Sequence, residues 1–469
     1  MTTKLAKGHS KLENGLFIFR RDLRIVDNNG LNYLSELCEN IYTIFIFTPE
    51  QVGSGNKYKS DNSVQFMIKS LQDLDHQIRK QGGHLHTFYG KNNSIVAECI
   101  KAWDINIVAF NLDITPYARI RDDEIVKLCQ KMKVFVTYDH DYYLSNPDEV
   151  LNGAGLPYQK FTPYYETAKK IKVQNPVGLR KLHFKSSETH IPNKITLDLA
   201  MKKFVGKENE DILVHGGRAE ALKQIKIAGK NIKHYASTRD DPSKPTSQLS
   251  AYIKFGCVSI REVYHNFKSN TAFIRQLYWR DFYSNILYNF PRVLGHSLNP
   301  KYDKIRWHHN ERWFNAWCNG MTGIPFVDAS QRQLLETGWT HNRCRMISSS
   351  ILTKILLIDW RKGERFYAEH LVDYDPANNN GGWQWSSGSG ADSQPYFRYF
   401  NPYTQSKDHD PKCEYIKRWI PELKDVPNED IHNWDTEWVN HKDIKYPKPI
   451  VNYDEQREKS IKMYKDALY

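Results

Sequence analysis

Residues 378–402 read NNNGGWQWSSGSGADSQPYFRYFNP. Three adjacent asparagines, a glycine pair, Trp383 and Trp385 stand close together, followed by Tyr396, Arg398 and Tyr399. A packed core does not call for that mixture. Indoles carry electrons and stack on flat rings, and neutral amides hydrogen-bond ring edges without adding charge. A second set lies in FIRQLYWRDFYSNILYNF (273–290), a strong helix pattern. There Gln276, Trp279, Arg280 and Tyr283 recur at i, i+3, i+4 and i+7 and share one face. An amide, an indole, a guanidinium and a phenol on one stripe suit a stacked, hydrogen-bonded ligand. On this stretch alone, a face packed beneath a loop is the stronger interpretation. A third set lies in TGWTHNRCRMISSSILTKILLIDW (337–360), where Asn342 and Met346 share a helix face flanked by Arg343 and Arg345.

The first third of the chain has the rhythm of a scaffold. LFIF (16–19), IYTIFIF (41–47), HLHTFY (84–89), INIVAF (105–110) and VFVTY (134–138) are short apolar runs that predict buried strands. Between them, Val64, Met67, Ile68, Leu71, Leu74 and Ile78 keep helical spacing up to Gly82-Gly83, and 94–103 and 122–132 are also helix-like. Alternation of this kind predicts a doubly wound parallel sheet over residues 1–139. The first strand is followed by RRDLRIVDNNG rather than GxGxxG, so a dinucleotide held in the usual way is not expected there. Residues 140–215 are broken by Gly and Pro and predict a connector packed against both halves. From 216 to 469 strand signals nearly vanish, which predicts an all-α domain.

With 469 residues, two domains are expected. The charge of +12 suggests a polyanionic partner, nucleic acid first among them, although a generally basic surface would give the same number. Seven scattered cysteines without a CxxC pair argue for a reduced, intracellular protein and against structural zinc. DHDPKC (408–413) lacks a complete ligand set, so no metal is expected. The polar N-terminus and the absence of a long apolar run predict a cytoplasmic or nuclear protein without membrane contact.

DYDPANNNGGWQW (373–385) and PYFRYFNPYTQ (395–405), taken with the 337–360 stretch, resemble the photolyase/cryptochrome family, and within it the class I photolyases for cyclobutane pyrimidine dimers. FIFRRDLRIVDNNGL (17–31), LPYQKFTPYY (156–165), TSQLSAYIKFGCVSIREV (246–263) and WCNGMTGIPFVDASQRQLLETGWTHNRCRM (317–346) resemble further family blocks, in the same order. The resemblance implies FAD in the helical domain. By motif position, Tyr235, Thr246, Ser247, Leu249 and Ser250 would hold its phosphate and ribitol region, with Gln248 where many members carry Arg. Phe273, Arg280, Tyr374 and Asp375 would complete the pocket. Arg345 and Asp373 would pair beside the flavin ring, and Asn379 would face its N5. Gly381 and Gly382 would allow close backbone approach. Trp383, Trp360 and Trp307 match an electron relay from flavin to surface, whereas Trp313, Trp317 and Trp339 are assigned to packing.

The resemblance also implies a light-driven DNA lyase, expected as a monomer, with a folate or deazaflavin antenna left undecided. NLDITPYARIRDD (111–123) lacks the Asn-Glu pair associated with folate. Trp279 and Trp385 would wall a flipped-out base dimer, with Tyr283, Asn342 and Met346 beside it. Arg239, Arg343, Arg398 and Gln405 would grip phosphates. Gln276 departs from the glutamate of cyclobutane enzymes and resembles six-four photolyases and animal cryptochromes, the alternatives to repair of cyclobutane dimers. Six-four chemistry needs histidine at the positions of Asn342 and Met346. His341, one residue away, is expected to point about 100° around a regular helix.

Overall fold

A computed structural model describes residues 11–469. Strands β1 (Leu12–Phe19), β2 (Cys38–Phe47), β3 (Leu85–Tyr89), β4 (Ile107–Asn111) and β5 (Phe135–Asp139) form a wholly parallel sheet in the order β3-β2-β1-β4-β5. Parallel strands covered on both faces need apolar side chains at successive positions, so IYTIFIF runs without alternation. The helices Asp61–Arg79, Asn92–Ala102 and Pro116–Met132 make crossovers. The last begins before the expected residue 122. Thr115 caps it by accepting from Ala118 N at 3.2 Å, and Pro116 fills its first position. After Asp139 no further strand forms among the described residues, and the chain is helical to its end. The α/β-plus-α architecture is the one the sequence predicts.

The connector carries two helices, Phe161–Ala168 and Leu197–Phe204. It lies against both neighbours. Phe184 and Lys194 bridge to Ile41 and Phe88 of the sheet. Phe161 stacks flat on Trp279 of the Thr271–Asn289 helix, with ring centroids 3.8 Å apart.

The turn after β1 holds charge where a dinucleotide fold would hold glycine. Arg261 donates from Nε to Asp27 at 2.9 Å and from Nη2 to Asp141 at 2.7 Å, and Arg24 pairs with Asp141 from the other side. All four side chains are buried. A neighbouring clasp uses Arg21, which meets Asp113 at 3.2 Å, Asp375 at 2.7 Å and the carbonyl of Lys254 at 3.2 Å. These contacts tie the first strand to the helical domain. Removing one partner of a buried ion pair strands the other charge, at about 3–5 kcal/mol. Arg261→Met is therefore expected to lower the urea midpoint by an amount in that range. An unchanged midpoint would mean that the cluster adds nothing net.

Candidate active site

The Pro376–Ser387 helix carries the residues that open the sequence analysis. Gly381 and Gly382 do not break it. Asp375 Oδ1 accepts from Asn378 N at 3.0 Å, Pro376 takes the first position, and Gly388 ends the helix at a φ of 84°. Gly381 is required for packing, since a Cβ there would stand 2.2 Å from the Tyr283 ring. Gly382 faces open space, so only it presents bare backbone to a ligand.

Several expected cofactor residues come together. Arg345 Nη2 meets both oxygens of Asp373, at 3.0 and 3.2 Å, and Asp373 accepts from Ser250 Oγ at 2.6 Å. Tyr235 and Phe273 meet edge to face at 5.4 Å. Leu249 is buried beneath the half-exposed Thr246, Ser247 and Gln248, and Gln248 adopts a left-handed φ of 50°. Asn379 donates from Nδ2 to Glu364 O at 2.9 Å, which leaves its Oδ1 as the free end. The buried Asp373 carboxylate with its half-buried Arg345 partner, the hydroxyl-bearing turn and the open face at Gly382 fit a large anionic, ring-bearing group such as FAD.

Three expected cofactor residues are turned to other work. Arg280 donates to Tyr142 O and Asp281, on the connector side. Asp375 is engaged by the helix cap and by Arg21, which hold its carboxyl down at about 2 despite burial. Tyr374 stacks near Tyr58, 6.4 Å away, and faces a separate cavity.

The DNA-facing candidates form a second group. Trp279 has one face covered by Phe161 and Tyr283 close by at 5.6 Å, so one indole face stays available. Gln276 is half-buried and reaches only Ala272 O, at 3.4 Å. Trp385 stacks on Phe400 at 6.3 Å. Asp240 lies between Arg343, at 2.8 Å, and Arg239, at 3.8 Å, which juxtaposes the two guanidiniums. Arg343 Nε and Gln405 Oε1 are buried without a partner among the described residues. Arg398 is exposed and reaches Gln394. Asn342 and Met346 touch at 3.5 Å on one helix face. His341 departs from its expected place. It is the N-cap of Asn342–Ser350, its Nδ1 accepts from Arg343 N, and burial pushes its imidazole down to about 4.

Of the expected relay, Trp383 and Trp360 are buried and Trp307 is half-buried. Among the described residues no ring contact joins these three indoles. Trp383 instead meets Tyr367 at 5.1 Å and Trp317 at 5.9 Å. Trp317, assigned to packing by sequence, is fully buried and bonds Ser348 O through Nε1.

Sequence reasoning missed a cavity of about 580 Å³ outside the carboxyl ends of β1 and β4, where the strand order reverses. Arg20, Tyr58, Tyr117, Arg121 and Lys254 line it, and of the expected FAD residues only Tyr374 does. Among the described residues, Arg20 Nε and Nη2 and Arg121 Nη2 are buried without a partner. The charge cluster RRDLR after the first strand was the available signal.

Comparison with known proteins settles the family. The model for the FAD binding domain of DNA photolyase matches residues 273–466, and the DNA photolyase model matches residues 16–180. A deoxyribodipyrimidine photo-lyase of Alkalihalophilus pseudofirmus is 35% identical over 95% of this chain and 97% of its own. The chain belongs to the DNA photolyase family. An archaeal photolyase from Sulfolobus tokodaii, solved with two FAD molecules, superposes with a TM-score of 0.87 at 37% identity, covering 97% of this chain and 100% of that one. A bacterial class III photolyase from Agrobacterium tumefaciens gives 0.90 at 29% identity, covering 98% and 99%. As a photolyase-family member the chain binds FAD in its helical half. Among the described residues, no helix is long and apolar enough to cross a membrane.

Proposed function

We propose that this photolyase-family chain is a deoxyribodipyrimidine photo-lyase that reverses cyclobutane pyrimidine dimers in DNA under light. Bound FAD, in its reduced form, supplies an electron to the lesion after absorbing light. The chain's own residues do the rest. Asn379 Oδ1, left free by the bond from its Nδ2 to Glu364 O, accepts from a protonated flavin N5 and adds no charge beside a reduced, anionic ring. Arg345, held by Asp373, offers compensating positive charge. Trp279 and Trp385 stack the flipped-out bases, and Gln276 Nε2 donates to a pyrimidine carbonyl. Arg239, Arg343, Arg398 and Gln405 hold the phosphates, which positions the duplex without reading its sequence. Trp383, Trp360 and Trp307 would relay electrons from the surface to the bound cofactor.

The division of labour follows the same lines. Residues 1–139 form the antenna-type domain, 140–215 the connector, and 216–469 the cofactor and DNA domain. The cavity beside Arg20 and Arg121 suits an anionic, ring-bearing antenna molecule, because Arg20 Nε and Nη2 and Arg121 Nη2 are left without a partner among the described residues even though both guanidiniums pair with Asp122.

One observation carries the choice of lesion. A six-four enzyme needs a titratable acid beside the lesion, because oxygen must move between the bases. Asn342 and Met346 hold no proton near neutral pH. His341 is buried, with its Nδ1 committed to the cap. Anaerobic illumination of the reduced protein with DNA carrying each lesion is expected to restore cyclobutane thymine dimers and leave six-four products intact. Gln276→Glu is expected to keep or raise the rate. Reversal of six-four products with cyclobutane dimers untouched would overturn the assignment.

A further inference from the structure

We infer that Glu364 is a positioning residue of the flavin site, a buried neutral carboxylic acid that fixes the Asn379–Asn380 amides and exchanges its proton through the α/β-domain cavity. The inference rests on the reading of Asn379 as the flavin-facing amide. Glu364 lies on the Trp360–His370 helix and is 3% exposed. Its backbone oxygen takes the Asn379 amide at 2.9 Å, and its Oε1 takes Asn380 Nδ2 at 3.0 Å. Asn380 Oδ1 in turn accepts from Gln384 Nε2 at 3.0 Å, and Gln384 is anchored to Val293 O and His296 O. Glu364 thus holds both amides, Asn379 through its backbone oxygen and Asn380 through its carboxyl, the latter together with Val293 O at 2.9 Å. With Asn379 Nδ2 pinned on it, Oδ1 is the end left for the cofactor.

The carboxyl of Glu364 has no cationic partner within salt-bridge distance among the described residues, although the cavity beside it is rich in cations. Arg361, on the same helix, is committed to Asp303, at 2.9 Å, and Asp359, at 3.1 Å. From other elements, Tyr58 and Tyr374 face the carboxyl with phenols whose ionisation its charge would disfavour, and Arg365 and Lys254 lie further along the same region. A buried carboxylate with one amide donor is costly, so the group keeps its proton. Burial pushes it up to about 7. The residue also lines the cavity, whose water can give and take that proton. An electron arriving on the flavin favours the neutral acid further, because an ionised carboxyl would stand on the same side as the added charge. Near and above about pH 7, where the carboxyl is ionised in the oxidised protein, reduction is thereby coupled to uptake of a proton from the cavity onto Glu364.

The test is redox titration of the bound flavin against pH in wild type, Glu364→Gln and Glu364→Leu. Wild type is expected to show an extra fall in midpoint potential as pH rises above about 7. Glu364→Gln keeps an acceptor for Asn380 and is expected to lose that extra fall. Lys254 titrates in both proteins and so cancels. Glu364→Leu loses the acceptor as well and is expected to shift the potential at every pH. Superimposable curves for wild type and Glu364→Gln would overturn the inference. Should the variants bind no flavin, melting against pH decides. A carboxyl raised from 4.5 to about 7 costs stability progressively across that window, so wild type should lose melting temperature relative to Glu364→Gln between those values and run parallel above them. Parallel melting curves throughout would also overturn it. A flavin-free wild type would refute the cofactor assignment instead, which keeps the two failures apart.

Discussion

Trp383→Phe is expected to abolish light-driven reduction of oxidised flavin and to leave repair by chemically reduced protein at the wild-type level. Trp383 is 2% exposed and packs on Gly363, where a Cβ would stand 2.1 Å from the indole. Phenylalanine fits that slot but is far harder to oxidise, so the route to the flavin closes while the electron already on the cofactor remains available for repair. The smaller ring costs about 1–3 kcal/mol of stability, too little to unfold a domain of this size. Transient absorption with an external donor measures the effect directly. Trp317→Phe is the informative companion, because Trp317 also touches Trp383 yet is bound to Ser348 O within the core. Photoreduction is expected to survive in Trp317→Phe. Wild-type photoreduction in Trp383→Phe would show that a different chain of rings carries the electron.

Asp373→Ala is expected to yield protein with sharply reduced flavin content. Asp373 is the shared anchor of Arg345 and Ser250, and it is 8% exposed. Deleting it leaves a guanidinium uncompensated at the cofactor site. A loss of about 3 kcal/mol there corresponds to a fall in affinity of roughly 100-fold. Asp373→Asn keeps an acceptor for Ser250 and is expected to retain part of the flavin. The absorbance ratio at the flavin and protein bands of purified material reads the outcome, with far-ultraviolet circular dichroism as the check on folding. Full flavin content in Asp373→Ala would place the cofactor elsewhere.

The strands were legible because a parallel sheet covered on both faces writes itself as unbroken runs such as IYTIFIF. Their order was not, since pairing β1 with β4 depends on contacts between distant segments. The Pro376–Ser387 helix was hidden by Gly381-Gly382, although Asp375 followed by Pro376 is a helix start that outweighs them. His341 was placed on a helix it only caps. Motif position brought out Arg345, Asp373 and Ser250, which the fold gathers into one hydrogen-bonded unit. Arg21, Lys254 and Glu364 escaped notice because their significance comes from what folds against them. A charged residue at a domain junction looks in sequence like any solvated one.

The clasp at Arg21 bears on how the chain can be taken apart. One guanidinium from the end of β1 holds Asp113 of the sheet domain and Asp375, the cap of the helix bearing Asn379 and Trp383. Arg261, in the helical half, finds its acids in Asp27 of the sheet domain and Asp141 at the start of the connector. A helical half expressed alone would carry a buried cation without its anions and a helix cap without its brace. Swapping in the sheet domain of a relative succeeds only where the donor brings matching charges at these positions. The charged seam thus couples the folding of each half to the presence of the other.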